Sequence, residues 1–466
     1  MSFPRRLAVF AVFLLGLATS RPAAAQGPVQ RIDAFVRAEL ERQQVPGVGI
    51  GVVKNGKVLL AKGYGFANLE HQVPARPETL FQAGSIGKQF TAMAVMLQVE
   101  AGKLALADPL TKFFPEAPAS WKALTVRHLL NHTSGLPDLE GTLDYRKDYT
   151  DEELAKFAYA LKPEFTPGAR WSYSNTGYVL LGIIVNRVAG RFYGDVLREQ
   201  VFKPAGMTTA RIISEADIVP HRAAGYRMVD GQVKNQEWVS PSLNTTGDGS
   251  MYVSVRDLLA WDAAVQKGAI LKPESWKEIL TPATLTSGAT YPYGFGWQLL
   301  ERAGKPLHQH GGAWQGFRSA FSRFVGDGIS IVVLTNSSAA NPTRFVEGLV
   351  ALLNPALARP ELKPIEDKEP QVTAHIAALL EKTREGKLAP ADFAYLRAGF
   401  FPERAKLYQT QLRELGPTGP LVLLERTPLG DDRLYTYRVA FGPRNFQLLV
   451  GLAPDERLTL FGMRPE

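Results

Sequence analysis

Apolar residues recur along the chain with two different spacings, and together they predict strands at both ends of a helical middle. Helical spacing runs through residues 32–44, and two apolar runs, 48–53 and 57–61, then flank Asn55-Gly56. An Asn-Gly pair between apolar runs is a strong local signal for a β-hairpin. Helical spacing returns over residues 88–101, just before Gly102, and predicts a second helix.

The stretch from about 120 to 290 favours helices and loops, with prolines at intervals. Ser254 and Asp257 predict a helix start, because a serine three residues before an acidic residue can cap the first turn. Strand patterns return at 294–300, 318–325 and 329–334, and a Gly-Asp-Gly turn joins the last two. The strands must therefore combine into one sheet from distant parts of the chain.

A second module follows a proline-rich linker. Four prolines lie between residues 354 and 371 among charged residues, which is a linker composition. Beyond them the pattern predicts two helices and then four short strands, at residues 372–387, 404–415, 421–425, 434–441, 446–452 and 457–461. We therefore predict a large domain over 26–353, a linker over 354–370 and a small α+β domain over 371–466.

The composition is that of a globular protein, and it limits the chemistry available. The 466 residues contain no cysteine, and 45% of them are apolar. A disulfide framework, a Cys-ligated metal site and a thiol nucleophile are thereby excluded. Covalent catalysis would need Ser, Thr, Lys or a carboxylate.

The first 25 residues have the pattern of a secretory signal peptide. Arg5 and Arg6 precede an apolar run, and three alanines, 23–25, precede Gln26. The run is shorter than the roughly 20 residues that span a bilayer, so we expect no permanent membrane span after removal of the signal. Removal takes away three arginines and lowers the formal charge from +8 to about +5, which is no signature of nucleic-acid binding. The sequence thus predicts an exported protein, periplasmic or secreted.

Ser85 and Lys88 lie at the start of the helix predicted over 88–101, three residues apart and so on one helical face. Free N–H groups at a helix start favour negative charge, which suits the oxyanion of acyl transfer. The lysine could activate the serine hydroxyl as a base if burial or another cation lowered the lysine pKa. The S-x-x-K pattern is common by chance, however, and an N-cap serine followed by an exposed lysine is the simpler interpretation of it alone.

A second segment, 171–175, lies before an apolar helix and contains Tyr173 and Asn175. Tyr173 could share a proton relay with Lys88, and the Asn175 amide could hold Lys88 or a substrate carbonyl. Taken singly, these two residues also fit a packing aromatic and a helix cap.

The third segment is His310-Gly311-Gly312-Ala313, on a strand late in the chain. Glycines in a strand let another backbone approach closely, so a substrate could pair along this edge while a backbone N–H completes an oxyanion hole. His310 would add a donor or a positive charge. The alternative interpretation is a glycine turn with a surface histidine.

In order and spacing, the three segments resemble the motifs of the serine β-lactamase and penicillin-binding-protein superfamily. The likeness is greatest to the class C β-lactamase group with its related DD-peptidases, D-aminopeptidases and esterases, and it covers about 32–350. Further matching segments lie at residues 102–109, 129–136, 249–258, 293–297 and 314–317. The resemblance implies an α/β (α+β) fold with a central antiparallel sheet flanked by helices and a mostly helical subdomain.

The resemblance also implies roles for the candidate residues. Ser85 would be the acylated nucleophile, with Lys88 and Tyr173 as the paired general base and acid. Asn175 would position the substrate amide and Lys88. His310 would occupy the place of the third-motif cation.

The glycines make Gly311-Gly312-Ala313 the candidate substrate-binding edge, and the resemblance implies that the backbone N–H groups of Ser85 and Ala313 form the oxyanion hole. Where a lysine at position 310 would supply a fixed charge for a β-lactam carboxylate, a histidine is mostly neutral near pH 7. Efficient β-lactamase activity is therefore not expected. In the family that the chain resembles, His-x-Gly goes with D-amino-acid peptidases and esterases, so the resemblance implies hydrolysis of D-residue peptides, amides or small esters. Two alternatives stay open: a β-lactamase with genuine turnover, and a catalytically idle penicillin-binding-like receptor or scaffold.

No cofactor or metal is expected. His128 and His132 have the spacing of a metal-binding helix but no acid between them, and His308 and His310 lack a third ligand. The expected partner is a small molecule or a short peptide, cell-wall peptides included, and not a nucleic acid.

Overall fold

The computed structural model describes residues 27–139, 142–213, 216–395 and 400–466. The predicted signal segment, residues 1–25, lies outside these ranges. Within them, no helix combines the length and the apolar character that crossing a bilayer requires.

A seven-stranded sheet forms the centre of the protein. The strands up to residue 335 are β1 Gly47–Lys54, β2 Lys57–Asn68, β3 Val73–Pro74, β4 Phe81–Gln82, β5 Tyr226–Val229, β6 Gln232–Asn235, β7 Tyr252–Val253, β8 Ala283–Thr284, β9 Thr290–Tyr291, β10 Gln298–Arg302, β11 Lys305–Trp314, β12 Phe317–Phe324 and β13 Ile329–Thr335. The sheet order is β10-β11-β12-β13-β1-β2-β3, and every neighbouring pair is antiparallel. The predicted assembly from distant parts of the chain is confirmed, since β1 pairs with β13.

Helices cover both faces of this sheet. They are α1 Pro28–Gln43, α2 Gly87–Glu100, α3 Val126–Leu130, α4 Asp151–Tyr159, α5 Asn175–Ala189, α6 Tyr193–Leu197, α7 Lys203–Ala205, α8 Val255–Gln266, α9 Pro273–Ile279 and α10 Pro342–Leu353. On one face, α1 and α10 bury a core against the sheet. On the other, α2 and α8 share a larger core with α5 and the rest of the helical middle. The predicted fold class is therefore confirmed.

Strand β1 shows why the sheet can sit so close to its helices. Valine and isoleucine side chains at alternate positions of β1 lie in the core with α1 and α10. The intervening Gly49 and Gly51 face α8, where a Cβ on either would lie 2.6 or 2.9 Å from the side chain of Val255. Glycine at these two positions therefore lets α8 pack directly on the backbone of the sheet.

Turns and helix starts that depend on neighbouring residues lie where the sequence predicts them. Asn55 and Gly56 adopt φ angles of 52° and 73°, as the turn of the β1–β2 hairpin requires. Ser254 and Asp257 form a reciprocal capping box at the start of α8. The strand expected over 294–300 was placed too early: β10 begins at Gln298, because Gly296 turns with φ 75° and lies against the backbone of α2.

The C-terminal part forms a small domain with its own core. Its elements are α11 Pro370–Glu385, α12 Ala405–Leu415, β14 Leu421–Leu429, β15 Asp432–Phe441, β16 Arg444–Leu452 and β17 Leu458–Pro465. The four strands form the predicted antiparallel meander, with α11 and α12 sharing a core with one face of it. The turn between β14 and β15 contacts the large domain through an Arg170–Asp432 ion pair of 3.2 Å and a Ser287–Asp431 hydrogen bond of 2.9 Å.

Candidate active site

Ser85 lies in a short 3-10 turn, Gly84–Ile86, that leads directly into α2. Gly84 adopts a positive φ of 55°, which a residue with a side chain rarely accepts. The turn and the first residues of α2 are packed beneath β11. The Ser85 side chain is therefore held at the start of a long, buried helix.

The Lys88 side chain is fully buried and lies at the centre of the site. Its Nζ is 3.2 Å from Ser85 Oγ and 2.7 Å from Asn175 Oδ1, and it also donates to the backbone carbonyl of Asp248. In the described part of the chain, no carboxylate forms an ion pair with it. The geometry brings together three of the residues singled out in the sequence and puts the lysine nitrogen within reach of the serine proton.

Tyr173 lies beside this group but is not hydrogen-bonded to Ser85. Its ring centroid is 4.9 Å from Nζ of Lys88. The Tyr173 loop is fixed at its end by Ser174, whose hydroxyl accepts from the backbone N–H of Gly177 and caps α5. The cap places Asn175 at the first position of α5, where its amide meets Lys88.

Asp138 belongs to the site, although the sequence did not single it out. Its Oδ1 accepts a hydrogen bond from the backbone N–H of Asn175. Burial raises the pKa of Asp138, while the Asn175 N–H and the Lys88 charge act in the opposite direction. No local pattern marks this aspartate, because its role comes from helix α5 and not from its own neighbours.

Two segments, β11 and the one that contains Gly249, bring their backbones close to the nucleophile turn. A Cβ on Gly312 would lie 1.9 Å from the carbonyl oxygen of Ala83, and one on Gly84 would lie 2.5 Å from the backbone nitrogen of Ala313. A Cβ on Gly249 would lie 2.9 Å from the nitrogen of Ser85. Such close approach is what two backbone donors need if they are to share one oxyanion.

Replacing Gly312 by alanine should therefore disturb the site strongly. The new Cβ would overlap the Ala83 carbonyl, so the nucleophile turn or β11 must move. We expect kcat/KM to fall about 100-fold, as for loss of an oxyanion donor, and stability to fall by about 1–3 kcal/mol, as for overpacking.

The neighbouring Gly311→Ala variant is the steric control for stability, because a Cβ there meets only Ser319 O at 3.6 Å. Urea unfolding and steady-state kinetics of both variants would check the prediction. Equal stability of the two would show that the close approach at Gly312 is unimportant.

Strand β11 has a free edge beside the nucleophile. Its pairing with β10 covers Lys305 to Gln309 and ends there. On the other side β12 pairs with β11 as far as Trp314. The stretch from Gly311 to Ala313 thus has no strand partner on this side, which leaves an edge where an extended ligand can pair.

His310 is 4% exposed, and its ring nitrogens both have partners within the protein. Nε2 is 2.9 Å from the Tyr293 hydroxyl, and Nδ1 is 2.6 Å from the carbonyl oxygen of Gly311. Burial, helped by the charge on Lys88, lowers the pKa of His310 to about 4. The donor or positive charge expected from this residue is therefore directed into the protein and not toward a ligand.

The two histidine pairs weighed as metal ligands, His128 with His132 and His308 with His310, are not part of a cluster that could hold a metal ion in the part of the chain that the structure describes. Among the described residues, no group of three or more His, Asp or Glu side chains is arranged to hold an ion. His128 caps α3, and His132 is buried against Tyr173 and Tyr293. In the sequence, His132 is weighed as a metal ligand with His128, and both His132 and Tyr293 lie in segments that match the family. Their contacts with the site are not predicted.

A scan against protein families matches the Beta-lactamase model over residues 32–353. The chain belongs to the Beta-lactamase family. Penicillin-binding protein 4* of Bacillus subtilis is 30% identical over 308 residues, which are 60% of this chain and 68% of that protein. A D-aminopeptidase of Gluconobacter oxydans is 29% identical over 333 residues, 69% of this chain and 62% of its own length. The match therefore spans less than two thirds of that D-aminopeptidase.

Among solved structures, D-amino acid amidase from Ochrobactrum anthropi SV3, complexed with L-phenylalanine amide, is 27% identical. The match has a TM-score of 0.60 and covers 71% of this chain and 97% of the amidase. Together with the family match, these relatives identify the protein as a serine hydrolase of the β-lactamase-related type.

Proposed function

We propose that this serine hydrolase acts on amides and short peptides of D-amino acids, or on small esters, through an acyl-enzyme on Ser85. The observation that carries the proposal is the position of Lys88 Nζ between Ser85 Oγ and Asn175 Oδ1. The substrate class is supported by the names of two relatives, a D-aminopeptidase and a D-amino acid amidase.

In the proposed reaction, Lys88 and Tyr173 act as a pair that starts one proton short, and the pair takes up the single proton of the Ser85 hydroxyl as its oxygen attacks the substrate carbonyl carbon. The same pair later returns that proton to the leaving group. The carbonyl π electrons move to oxygen, and the backbone N–H groups of Ser85 and Ala313 bind the resulting oxyanion. Collapse breaks the bond to the amine or alcohol, which leaves with the proton. Water then attacks the acyl-enzyme by the same route and releases the acid.

The remaining residues position the substrate in this scheme. The Asn175 amide holds Lys88 and would position the substrate amide, while the free edge of β11 at Gly311 to Ala313 would pair with the substrate backbone. Asp138 holds the backbone of Asn175. A neutral, internally bonded His310 offers no charge to a β-lactam carboxylate, which argues against the alternative of an efficient β-lactamase.

A substrate panel tests the proposal. We expect turnover of D-alanine amide, D-alanine p-nitroanilide or short p-nitrophenyl esters, with D-alanine compounds at least ~10-fold better in kcat/KM than their L-enantiomers. A chromogenic cephalosporin should be hydrolysed slowly. Rapid turnover of the cephalosporin alone would favour the β-lactamase alternative, and no turnover of any substrate would favour the idle receptor.

We also propose that the protein is exported, on the basic, apolar and small-residue pattern of residues 1–25. Mass spectrometry of the protein recovered from its native cells would reveal the processed N-terminus. Recovery of the chain only with Met1 intact would contradict export by cleavage.

A further inference from the structure

Four hydrogen bonds connect the second motif to the third through the interior of the protein. The backbone N–H of Ser174 is 3.1 Å from Nδ1 of His132, whose Nε2 is 3.2 Å from the Tyr293 hydroxyl. That hydroxyl is 2.9 Å from Nε2 of His310, and Nδ1 of His310 is 2.6 Å from the carbonyl oxygen of Gly311. The three side chains are 0%, 1% and 4% exposed, so solvent does not compete for these bonds.

Both ends of this row fix the direction of every bond in it. A backbone N–H can only donate, so Nδ1 of His132 accepts from Ser174 and the ring proton of neutral His132 is on Nε2. His132 therefore donates to the Tyr293 oxygen. The Tyr293 proton then has two acceptors near it, Nε2 of His310 and the Tyr178 oxygen, and we assign it to His310, which lies at hydrogen-bond distance, 2.9 Å. A carbonyl can only accept, so Nδ1 of His310 carries a proton and donates to Gly311. Nε2 of His310 is then the acceptor of the Tyr293 hydroxyl.

We infer that His132 and Tyr293 are positioning residues that hold His310 neutral, with its proton on Nδ1, so that the site favours substrates without a carboxylate beside the scissile bond. The inference rests on the proposed function and specifies its substrates further. Uncharged amides and esters fit such a site. Substrates whose leaving group ends in a carboxylate next to the cleaved bond do not find a cation at this position.

The charged groups around His310 also favour its neutral form. Lys88 from α2 is the nearby charge, and a protonated His310 would place a second positive charge beside it in a buried space. Tyr173, from the second motif, has its ring 6.2 Å away. No carboxylate among the described residues makes a hydrogen bond or ion pair with His310.

The tyrosines around the row stay protonated throughout the working pH range. Burial raises the pKa of both Tyr178 and Tyr293 well above its usual value. Tyr178, from α5, packs with its ring 5.1 Å from that of His132. Since the pKa of His310 is lowered, its neutral form is present above about pH 4 and is lost as the pH falls through that value.

The tautomer can be measured without any substrate. The full chain with ¹⁵N-labelled histidine, compared with its His310→Asn variant, gives the two ring-nitrogen shifts of His310 by NMR. We expect a neutral ring protonated on Nδ1 between pH 5 and 8. A ring protonated on Nε2, or charged at pH 7, would overturn the inference whatever the activity.

Kinetics test the consequence. In the wild type, kcat/KM for D-alanine amide should exceed that for D-alanyl-D-alanine at least ~10-fold, a difference of about 1.4 kcal/mol. The Tyr293→Phe variant removes the donor to His310, so the acid limb of its pH profile should move up by about one unit. The buried Tyr193→Phe, whose hydroxyl binds the Thr246 carbonyl instead, should leave that limb in place.

The outcomes separate the inference from the proposed function. Amide hydrolysis with an equal rate on the dipeptide, or an unmoved acid limb in Tyr293→Phe, would refute the inference and leave the hydrolase intact. Absence of hydrolysis of every substrate would refute the proposed function, while the NMR result would still decide the state of His310. If Tyr293→Phe does not fold, His132→Gln interrupts the same row at its other end and replaces it.

Discussion

The Ser85→Ala variant should lose hydrolysis almost completely, with kcat/KM lower by at least ~10⁴-fold, because no other nucleophile takes its place. The loss should be accompanied by loss of labelling with a fluorescent fluorophosphonate, which reacts with activated serines. The change removes one hydroxyl, whose hydrogen-bond partner among the described residues is Lys88 at 3.2 Å, so thermal unfolding should be nearly unchanged.

Ser322→Ala is a matched control for this variant. Ser322 is a buried serine on β12, and its hydroxyl lies 3.4 Å from the Gln309 side chain and not in the candidate site. It should keep both labelling and turnover. Continued labelling of Ser85→Ala at the wild-type rate would place the acyl group on another residue.

The Lys88→Met variant should keep the serine but lose its activation, and kcat/KM should fall at least ~10³-fold. Methionine is close to lysine in size and fills the buried space without an amine. The oxygens of Asn175 and of the Asp248 carbonyl lose a donor, which should cost about 1–3 kcal/mol in unfolding free energy. Activity should therefore fall far more than stability.

Single-turnover acylation with a p-nitrophenyl ester would locate the defect in this variant. We expect a slow acylation phase with Ser85 still competent to react, in contrast to Ser85→Ala, which should show none. Lys54→Met, at a surface lysine that donates to the Leu353 carbonyl, is the control. Wild-type acylation in Lys88→Met would assign the base to a different group, with Tyr173 the next candidate.

The parts of the fold that were predictable from sequence are those that short-range chemistry determines. Asn55-Gly56 requires a tight turn whatever surrounds it, and Ser254 with Asp257 caps a helix from within four residues. The meander of the C-terminal domain follows from alternation and turn residues in the same way. Strand β10 was placed too early because the backbone of Gly296 is bent by contact with α2, a helix some two hundred residues away.

In the candidate site, too, the predictable features are those that depend on residues close together in the sequence. Ser85 and Lys88 are three residues apart, so their contact could be expected from helix geometry alone. Tyr173, Asn175 and His310 are candidates from their own segments, and the resemblance to a known family is what favours catalytic roles over packing or capping roles for them. The sequence does not predict the role of Asp138, because its partner Asn175 is 37 positions away. It does not predict the hydrogen bond between His132 and Tyr293 either, because these residues are 161 positions apart.

The glycines of β1 have a consequence for how the central sheet selects its pairing. Both faces of β1 are buried, so polarity does not tell one face from the other, as it does in a strand that is wet on one side. If β1 paired with its neighbours one residue out of register, Val48, Ile50 and Val52 would face Val255 of α8. At those positions even a Cβ is too close to Val255, so only glycine fits. The correct alignment of β1 with β2 and β13 is therefore encoded in side-chain volume, and the misaligned chain is excluded by overlap of methyl groups.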